Sequence, residues 1–104
     1  MAYTTIDDPS KYFQTALYTG DAGTQDITNS GNSDLQPDWI WIKNRDAESN
    51  HIAQDTSRGI NVCFFPDDAA VEQTNSNFGH VNSVASDGFQ VDEGNSGEAN
   101  ANKN

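Results

Sequence analysis

Residues 37–46 constrain the fold more than any other stretch, because they form the densest apolar segment and contain both tryptophans. The proline at the start of this stretch has no N–H to donate to a sheet, so it belongs at the entry to a strand. Side chains alternate along a strand, which places Ile40 and Ile42 on one face and Trp39 and Trp41 on the other. Apolar residues on both faces at positions 39–42 predict a central strand that is covered on both sides for half its length, and Lys43 and Arg45 mark where one face reaches solvent.

Other apolar runs are shorter, and turn-forming Gly, Asn and Asp residues separate them. Residues 12–19 combine aromatic side chains with threonine, which favours a strand. Residues 60–65 are the second apolar run, and Pro66 ends it. Shorter candidate strands are residues 24–28, 51–55 and 89–91. Together these runs predict a small all-β domain, an antiparallel β-sandwich with long polar loops.

Composition divides the chain into three parts. Residues 1–11 form an N-terminal arm, residues 12–92 form the β-sandwich domain, and residues 93–104 form a flexible polar tail. The tail consists of Gly, Asn, Ser, Ala and charged residues, so it has little apolar area to bury. Within the domain, residues 69–86 are weakly patterned, and residues 69–73 fit either a loop or one helical turn.

The charge balance excludes whole classes of partner. The chain has 16 acids against 5 bases and a net charge of −11. Binding to nucleic-acid phosphates needs clustered Lys and Arg, and attraction to an anionic membrane needs the same. No apolar run is long enough to span a bilayer. We therefore expect neither nucleic acid nor a membrane as a partner, and solubility is the simplest role of the charge.

The N-terminal residues and the single cysteine indicate where the chain folds. The first residues contain neither a basic region nor an apolar stretch, so no signal peptide is expected. Cys63 has no internal disulfide partner, and its apolar neighbours predict a buried thiol. Both observations predict folding in a reducing cytoplasm.

No constellation in the sequence has the spacing of a catalytic or metal site. His51 and His80 lie far apart without a Cys or Glu at ligand spacing, and no serine lies in a Gly-x-Ser-x-Gly motif. Adjacent acids on a loop usually point in different directions, so turn chemistry explains them better than glycosidase chemistry does. These acids are Asp7 and Asp8, Asp67 and Asp68, and Asp92 and Glu93. We therefore predict no enzyme and assign no catalytic, cofactor-binding or metal-binding residue.

Two kinds of binding site remain as alternatives. Residues 21–26 and the acids within 87–93 have the oxygen-rich composition that calcium prefers, although they match no defined calcium motif. Trp39, Trp41 and Tyr18 have the aromatic character of a sugar-stacking platform. Packing of these aromatic residues in a core is the simpler explanation.

Arg58 and Gly59 belong to a turn after the strand at residues 51–55. In an acid-rich chain, Arg58 is expected to make a bidentate pair, through two parallel hydrogen bonds, with a carboxylate such as that of Asp55 or Asp38 and to tie this turn to the central strand. Gly59 is free to take a positive φ there. The residues assigned to core strands and to this turn are Trp39, Ile40, Trp41, Ile42, Arg58, Gly59, Phe64 and Phe89.

Four blocks of sequence, taken in order, carry a family resemblance. They are residues 12–20 (YFQTALYTG), 35–45 (LQPDWIWIKNR), 55–59 (DTSRG) and 86–89 (SDGF). The pattern resembles a domain of tailed-bacteriophage structural proteins, especially tail and fibre proteins of marine and cyanobacterial phages. Such domains often stand beside lectin-like modules, and the resemblance implies a jelly-roll or concanavalin-like sandwich.

The resemblance implies a non-enzymatic structural component of a phage particle, associated with the tail or its fibres and acting by assembly and surface contact. Its partners would be other virion proteins or copies of itself. It would be assembled in the host bacterial cytoplasm and reside in the virion. The alternative is a carbohydrate-binding module that recognises host surface glycans, with calcium as a candidate cofactor.

The chain departs from the family pattern in one respect. Such domains usually continue, after the strand that follows residues 86–89 and a Gly/Asn-rich loop, into a closing strand rich in Tyr, Ala and Trp. This chain stops in that loop, so we expect either a truncated product or a closing strand supplied by a partner. A sandwich without one strand has an open edge, which favours oligomerisation or a weaker fold.

Overall fold

The structure, a computed structural model, describes residues 4–74 and 79–93 as an all-β molecule. A single turn of 3-10 helix, Pro9–Lys11, precedes six strands. They are β1 (Thr24–Thr28), β2 (Trp39–Ile42), β3 (Ile52–Asp55), β4 (Cys63–Phe64), β5 (His80–Ala85) and β6 (Gly88–Asp92). Two antiparallel sheets result, with the strand orders β1-β6-β5 and β2-β3-β4. The prediction of a small antiparallel all-β fold is confirmed.

The two sheets share one hydrophobic core. In β2, Ile40 and Ile42 are buried, and the register places Ile40 opposite Gln54 of β3. Because side chains directly opposite each other in a sheet lie on the same face, this register defines the inner face of the second sheet. The core cluster comprises Ile27, Val81 and Val91 from the first sheet, Ile40, Ile42, Ile52 and Cys63 from the second, and Phe65. The buried thiol predicted for Cys63 is confirmed.

A buried amide connects the two sheets. Gln54 of β3 is fully buried, and its Oε1 accepts a hydrogen bond from the main-chain N–H of Val81 at 2.7 Å. Its Nε2 donates to the carbonyl oxygen of Val81 at 3.0 Å and also to that of Ile60. Val81 lies on β5, an edge strand of the first sheet. The Gln54 side chain therefore gives this edge the two hydrogen bonds that a neighbouring strand would otherwise supply.

The tight turn between β5 and β6 depends on Gly88. Ala85 and Gly88 pair across the hairpin, and Gly88 has a φ of 151°. A Cβ atom at this position would overlap the carbonyl oxygen of Ile27 on β1. Gly88 thus lets three strands approach closely, which explains the glycine in the block at residues 86–89. Gly59 also takes a positive φ, 106°, as predicted for its turn.

Residues 12–19 do not form the predicted strand. They belong to neither sheet, although their side chains still alternate in exposure. Phe13 and Leu17 are 69% and 78% exposed, whereas Ala16 and Tyr18 pack against the core. Aromatic and Thr content reflects suitability for a half-buried pleated surface, and tertiary context decides whether the backbone finds a partner.

The predicted central strand is an edge strand with one open face. Among the described residues, β2 pairs only with β3. Trp39 and Trp41 were expected to be covered, but they are 49% and 51% exposed. The alternation of side chains between the two faces of β2 was predicted correctly. The prediction that the tryptophan face would be buried was wrong. Only the isoleucine face meets the core, while the described residues place no third layer over the tryptophans.

Two further differences have local causes. Strand β5 lies in the weakly patterned stretch, where a bulge between Val81 and Ser83 shifts the register and removes the period of two from the sequence. The apolar run at residues 60–65 contributes only Cys63–Phe64 to a sheet, because a turn occupies its start. The candidate strands at 24–28, 51–55 and 89–91 correspond to β1, β3 and β6. Most of the predicted tail, residues 94–104, lies outside the described residues.

Replacing Gln54 with leucine tests the connection between the sheets. We expect Gln54→Leu to lower the free energy of unfolding by about 2–4 kcal/mol, because it leaves buried main-chain groups of Val81 and Ile60 without partners. Urea denaturation measures this change. The control is Gln90→Leu, which removes one exposed hydrogen bond to Asp26 and should cost less than about 1 kcal/mol. Equal stabilities of the two variants would contradict the role assigned to Gln54.

Candidate binding groove

An open groove runs between β2 and residues 12–18, which we call the wall segment. Its volume is about 550 Å³, within the range typical of ligand sites. The second side of the groove comes from residues 35–45, which include the whole of β2, and Asn29 and Phe89 complete the lining. The lining is mainly apolar, and it contains five of the exposed large apolar side chains of the described residues: Tyr12, Phe13, Leu17, Trp39 and Trp41.

Side-chain hydrogen bonds hold the wall segment in place. Gln14 Nε2 donates to the carbonyl oxygens of Ser33 at 2.7 Å and Ser10 at 2.9 Å. Gln14 Oε1 accepts from the main-chain N–H of Gly31 at 2.8 Å. These contacts hold the segment in place without a sheet ladder. The sequence analysis assigned no role to Gln14.

Asp8 strengthens the same attachment. Its carboxylate accepts hydrogen bonds from the hydroxyls of Ser10 and Ser33, both at 2.5 Å. These two hydrogen bonds, from Ser10 first and then Ser33, hold the pKa of Asp8 below its ordinary value of 3.8. The last residues of the predicted N-terminal arm are therefore bound to the loop that follows β1.

The two tryptophans form an exposed pair at one side of the groove. Their rings pack edge to face, with centroids 5.6 Å apart. The indole N–H of Trp41 donates to Nδ1 of His51 at 2.9 Å, which fixes the orientation of the Trp41 ring. Tyr18, on the opposite side of the groove, is largely buried, and burial raises its pKa to about 12. The phenol of Tyr18 is therefore neutral near physiological pH.

The outer face of the second sheet continues beyond Trp41. Register places Trp41 opposite Ala53 and Ala53 opposite Phe64, so the small, fully buried Ala53 lies between two aromatic residues. The guanidinium of Arg58 lies 4.5 Å from the centre of the Phe64 ring. Its Nε pairs with Asp55 at 3.1 Å, so one of the two predicted partners is confirmed.

Arg58 also differs from its prediction. Its Nη1 contacts Glu72 at 3.3 Å, so it joins two carboxylates and does not bind one of them through two parallel bonds. Asp38 holds the turn in another way, because its carbonyl oxygen accepts the N–H of Thr56 at 2.9 Å. Both interactions tie the turn after β3 to the second sheet; Arg58 lies outside the groove, whereas Asp38 lines one end of it.

Charged side chains stand at the two ends of the groove. Asp38 precedes β2, while Lys43 and Arg45 follow it. Lys43 Nζ donates only to carbonyl oxygens, those of Asn44, Ala47 and Ser49. Among the described residues, the two ion pairs both belong to Arg58. Two of the few bases of this acidic chain therefore lie at one end of the groove without an acidic partner in the described part.

The predicted site residues occupy different environments. Ile40 and Ile42 are buried in the core, and Phe89 packs against it and also lines the groove. Trp39 and Trp41 form the exposed pair, while Arg58, Gly59 and Phe64 lie on or beside the outer face. Within residues 4–74 and 79–93, no group of three or more His, Cys, Asp or Glu side chains is placed to hold a metal ion. The same part of the chain has no helix long and apolar enough to cross a membrane.

Comparison with known proteins gives one match, to a family described as a domain of unknown function (DUF7483). The match covers residues 8–104, nearly the whole chain, so the chain belongs to this family. It includes the attachment at Asp8, the wall segment and β2. No curated protein and no solved structure matches the chain.

The hydrogen bonds of Asp8 predict a specific pH dependence. The pKa of Asp8 is lowered in the folded state, so its stabilisation is present above its ordinary value of 3.8 and is lost as the pH falls. We expect Asp8→Asn to be less stable than the parent chain at neutral pH, with the difference shrinking below that value. Urea denaturation at a series of pH values measures it. Asp7→Asn is the control, and a gap that stays constant at every pH would refute the prediction.

Proposed function

We propose that the chain is a non-enzymatic structural module of a bacteriophage particle, associated with the tail or its fibres, and that it acts by assembly and surface contact. The sequence resemblance supports the phage setting. The exposed apolar groove supports the contact role, and it is the observation that carries this proposal. In this setting, assembly takes place in the host bacterial cytoplasm, and the partners are other virion proteins or further copies of the chain.

The groove exposes apolar side chains, so binding a partner there would be favoured by the removal of apolar surface from water. Leu17 is 78% exposed and Phe13 is 69% exposed, and both face the same opening as the two tryptophans. Each Å² of apolar surface removed from water contributes about 25 cal/mol. Contiguous apolar patches on small soluble proteins commonly mark interaction sites. The groove therefore has the character of a contact site rather than of ordinary surface.

The polar groups near the groove do not resemble catalytic machinery. His51 Nδ1 accepts the Trp41 indole N–H, so this nitrogen is not available as a base. Asp8 is engaged with two serine hydroxyls, and its low pKa keeps it ionised at neutral pH. The groove offers mainly hydrophobic contact with charges at its ends, which supports binding over chemistry.

Incorporation into particles tests this function directly. We expect an epitope-tagged chain, expressed from the phage genome, to copurify with intact particles and to be labelled at the tail or its fibres in electron micrographs. Leu17→Ser should reduce the number of copies per particle at least several-fold, because it removes apolar contact area from the groove. The tagged chain remaining wholly in the soluble fraction would refute the proposal.

Val71→Ser is the matched control for Leu17→Ser. Val71 is 76% exposed, close to the exposure of Leu17, and it does not line the groove. Neither substitution removes a core side chain, so both variants should fold. Equal incorporation of the two variants would show that the groove is not the contact surface, even if the chain is a particle component.

The exposed tryptophan pair favours carbohydrate binding as a second candidate function. Half-exposed indole rings provide flat apolar surfaces on which sugar rings can stack, and the hydrogen bond to His51 fixes one of them. Loop acids would supply calcium ligands in this alternative, as in the alternative drawn from the sequence. Its occupants would be host surface glycans.

A glycan array separates the two candidates. Under the carbohydrate hypothesis, we expect binding to specific glycans that falls at least about tenfold in Trp41→Ala and is unchanged in Val71→Ser. Repeating the array with a chelator shows whether calcium contributes. Absence of glycan binding by the parent chain, together with incorporation into particles, would eliminate this alternative and leave the first.

A further inference from the structure

We propose that the groove binds an extended peptide segment of another polypeptide, which pairs antiparallel with β2 as an added strand. This inference rests on the contact function proposed for the groove, and it specifies the partner. The segment would alternate apolar and polar side chains, carry a carboxylate near its N-terminal end and carry a basic group near its C-terminal end.

The lining of the groove identifies it as the edge of a strand. Trp39 and Trp41 point to one face of the second sheet, and Ile40 and Ile42 point to the other. All four nevertheless line the same groove. Residues of both faces meet one space only along the edge of a strand, where the backbone itself is presented. The groove therefore follows the side of β2 that lies away from β3.

The backbone on this side of β2 has no partner strand in the described part of the chain. In an antiparallel strand, the N–H and C=O groups point alternately towards the two neighbouring positions. Pairing with β3 uses one set and leaves the other directed into the groove. An unpaired strand edge is a template for a further strand, and extended peptides bind to many proteins in this way.

The other edge strands are less suited to an added strand. The edge of β5 is met by the Gln54 side chain, which bonds both main-chain groups of Val81. Strand β1 carries mainly polar side chains, with Ile27 as its one large apolar residue. Strand β4 is only two residues long, and Cys63 on its edge exchanges main-chain hydrogen bonds with Gln73. Among the described strands, β2 is therefore the one that combines an open edge with apolar side chains throughout its length, so an added strand there also gains hydrophobic contact.

The wall segment completes a space suited to a strand. The wall segment forms no strand, belongs to neither sheet and lines the groove with consecutive side chains. An occupant would therefore lie between the edge of β2 and the wall segment. Strand β2 spans about 13 Å at roughly 3.3 Å per residue, so a segment of about four to six residues would fill the space.

Charge at the two ends sets the direction and the chemistry of the occupant. Every strand pair in both sheets is antiparallel, so an added strand would begin near Lys43 and Arg45 and end near Asp38. The two bases have no acidic partner among the described residues. A carboxylate at the start of the occupant would pair with them, and a base at its end would pair with Asp38.

Neither residues 94–104 nor the edge of a second copy fits this description. Residues 94–104 include two alanines as their only apolar side chains, so they cannot fill an apolar groove. Two copies each carry a net charge of −11, which opposes their association. A separate extended segment of another polypeptide can supply the apolar side chains, the acidic start and the basic end that the groove requires.

Selection from a displayed library of random peptides, about ten residues long, tests the proposal. We expect the parent chain to enrich sequences that alternate apolar and polar residues and begin with Asp or Glu. A selected peptide should bind Leu17→Ser at least about tenfold more weakly than the parent, since that variant loses most of a leucine contact, and should bind Val71→Ser normally. No enrichment, or enriched peptides without alternation, would overturn the proposal.

The mode of binding has its own readout. Methylation of the peptide nitrogens that face β2 keeps every side chain but removes main-chain hydrogen bonds, so it should weaken binding about tenfold or more. Methylation of the alternate nitrogens is the control. Hydrogen exchange should show new protection at β2 amides when the unmodified peptide binds. Equal effects of both methylation patterns, or no new protection at β2, would show that the groove binds side chains and not a strand.

The outcomes separate this inference from the proposed function. If the chain is found in particles and Leu17→Ser reduces its incorporation, while the selected peptides show no backbone pairing, the function stands and the added strand is excluded. If selected peptides pair with β2 but the chain is absent from particles, the strand-binding groove stands and the phage setting is excluded. Glycan binding that a selected peptide does not displace would place the sugar site elsewhere and leave the strand site intact.

Discussion

The hydrogen bonds between Gln54 and Val81 are the interaction on which the rest of the structure depends. Both sheets are small, and neither could bury its apolar face alone. A fully buried amide on β3 meets both main-chain groups of Val81 on the edge of the other sheet. Burying this amide is favourable only because its polar atoms find partners, so the arrangement fixes how the two sheets meet. Isoleucine and valine contacts supply the hydrophobic energy around it, but such contacts alone would tolerate several relative positions of the sheets.

Gln54 covers one strand edge of the molecule, and the remaining strand edges differ in how they are protected. A strand edge can be paired, covered or made unattractive by polar residues, and this molecule uses different solutions at different strands. Strand β5 is covered by the buried amide, whereas β1 is mainly polar. Strand β2 is apolar on both faces, and the wall segment stands off from it across a groove. The hydrogen bonds of Gln14 and Asp8 hold that segment in place, so the opening is a built feature of the fold and not a consequence of a loose chain.

Features that depend on local sequence pattern, such as the alternation of side chains along a strand, were predicted correctly. Features that depend on residues distant in sequence, such as strand pairing and burial of a face, were not. Alternation in residues 39–42 assigned the faces of Ile40 and Trp41 correctly, but no local signal indicates whether a third layer covers the outer face. The bulge after Val81 removed the period that would have indicated β5. Residues 12–19 were predicted to form a strand; their side chains largely alternate in exposure, but they pair with no other strand, because pairing is a property of the neighbours. Gln54 and Gln14 carried no signal, because glutamine residues are mostly exposed and a buried, hydrogen-bonded one cannot be distinguished from sequence alone. Their roles arise from partners 27 and 19 residues away.

Net charge and the groove act together to determine which partners can bind. An apolar groove beside an open strand edge would normally promote association between copies of the same chain. A charge of −11 on each copy opposes this, and at physiological ionic strength the repulsion acts within about 8 Å, the range at which surfaces begin to touch. At the same time, Lys43 and Arg45 give one end of the groove the opposite sign from the chain as a whole. A segment with an acidic start therefore meets attraction at the groove itself, while another acidic domain meets repulsion over the rest of the surface. This combination opposes association between copies and leaves one apolar edge open to the extended segment that we propose as the partner.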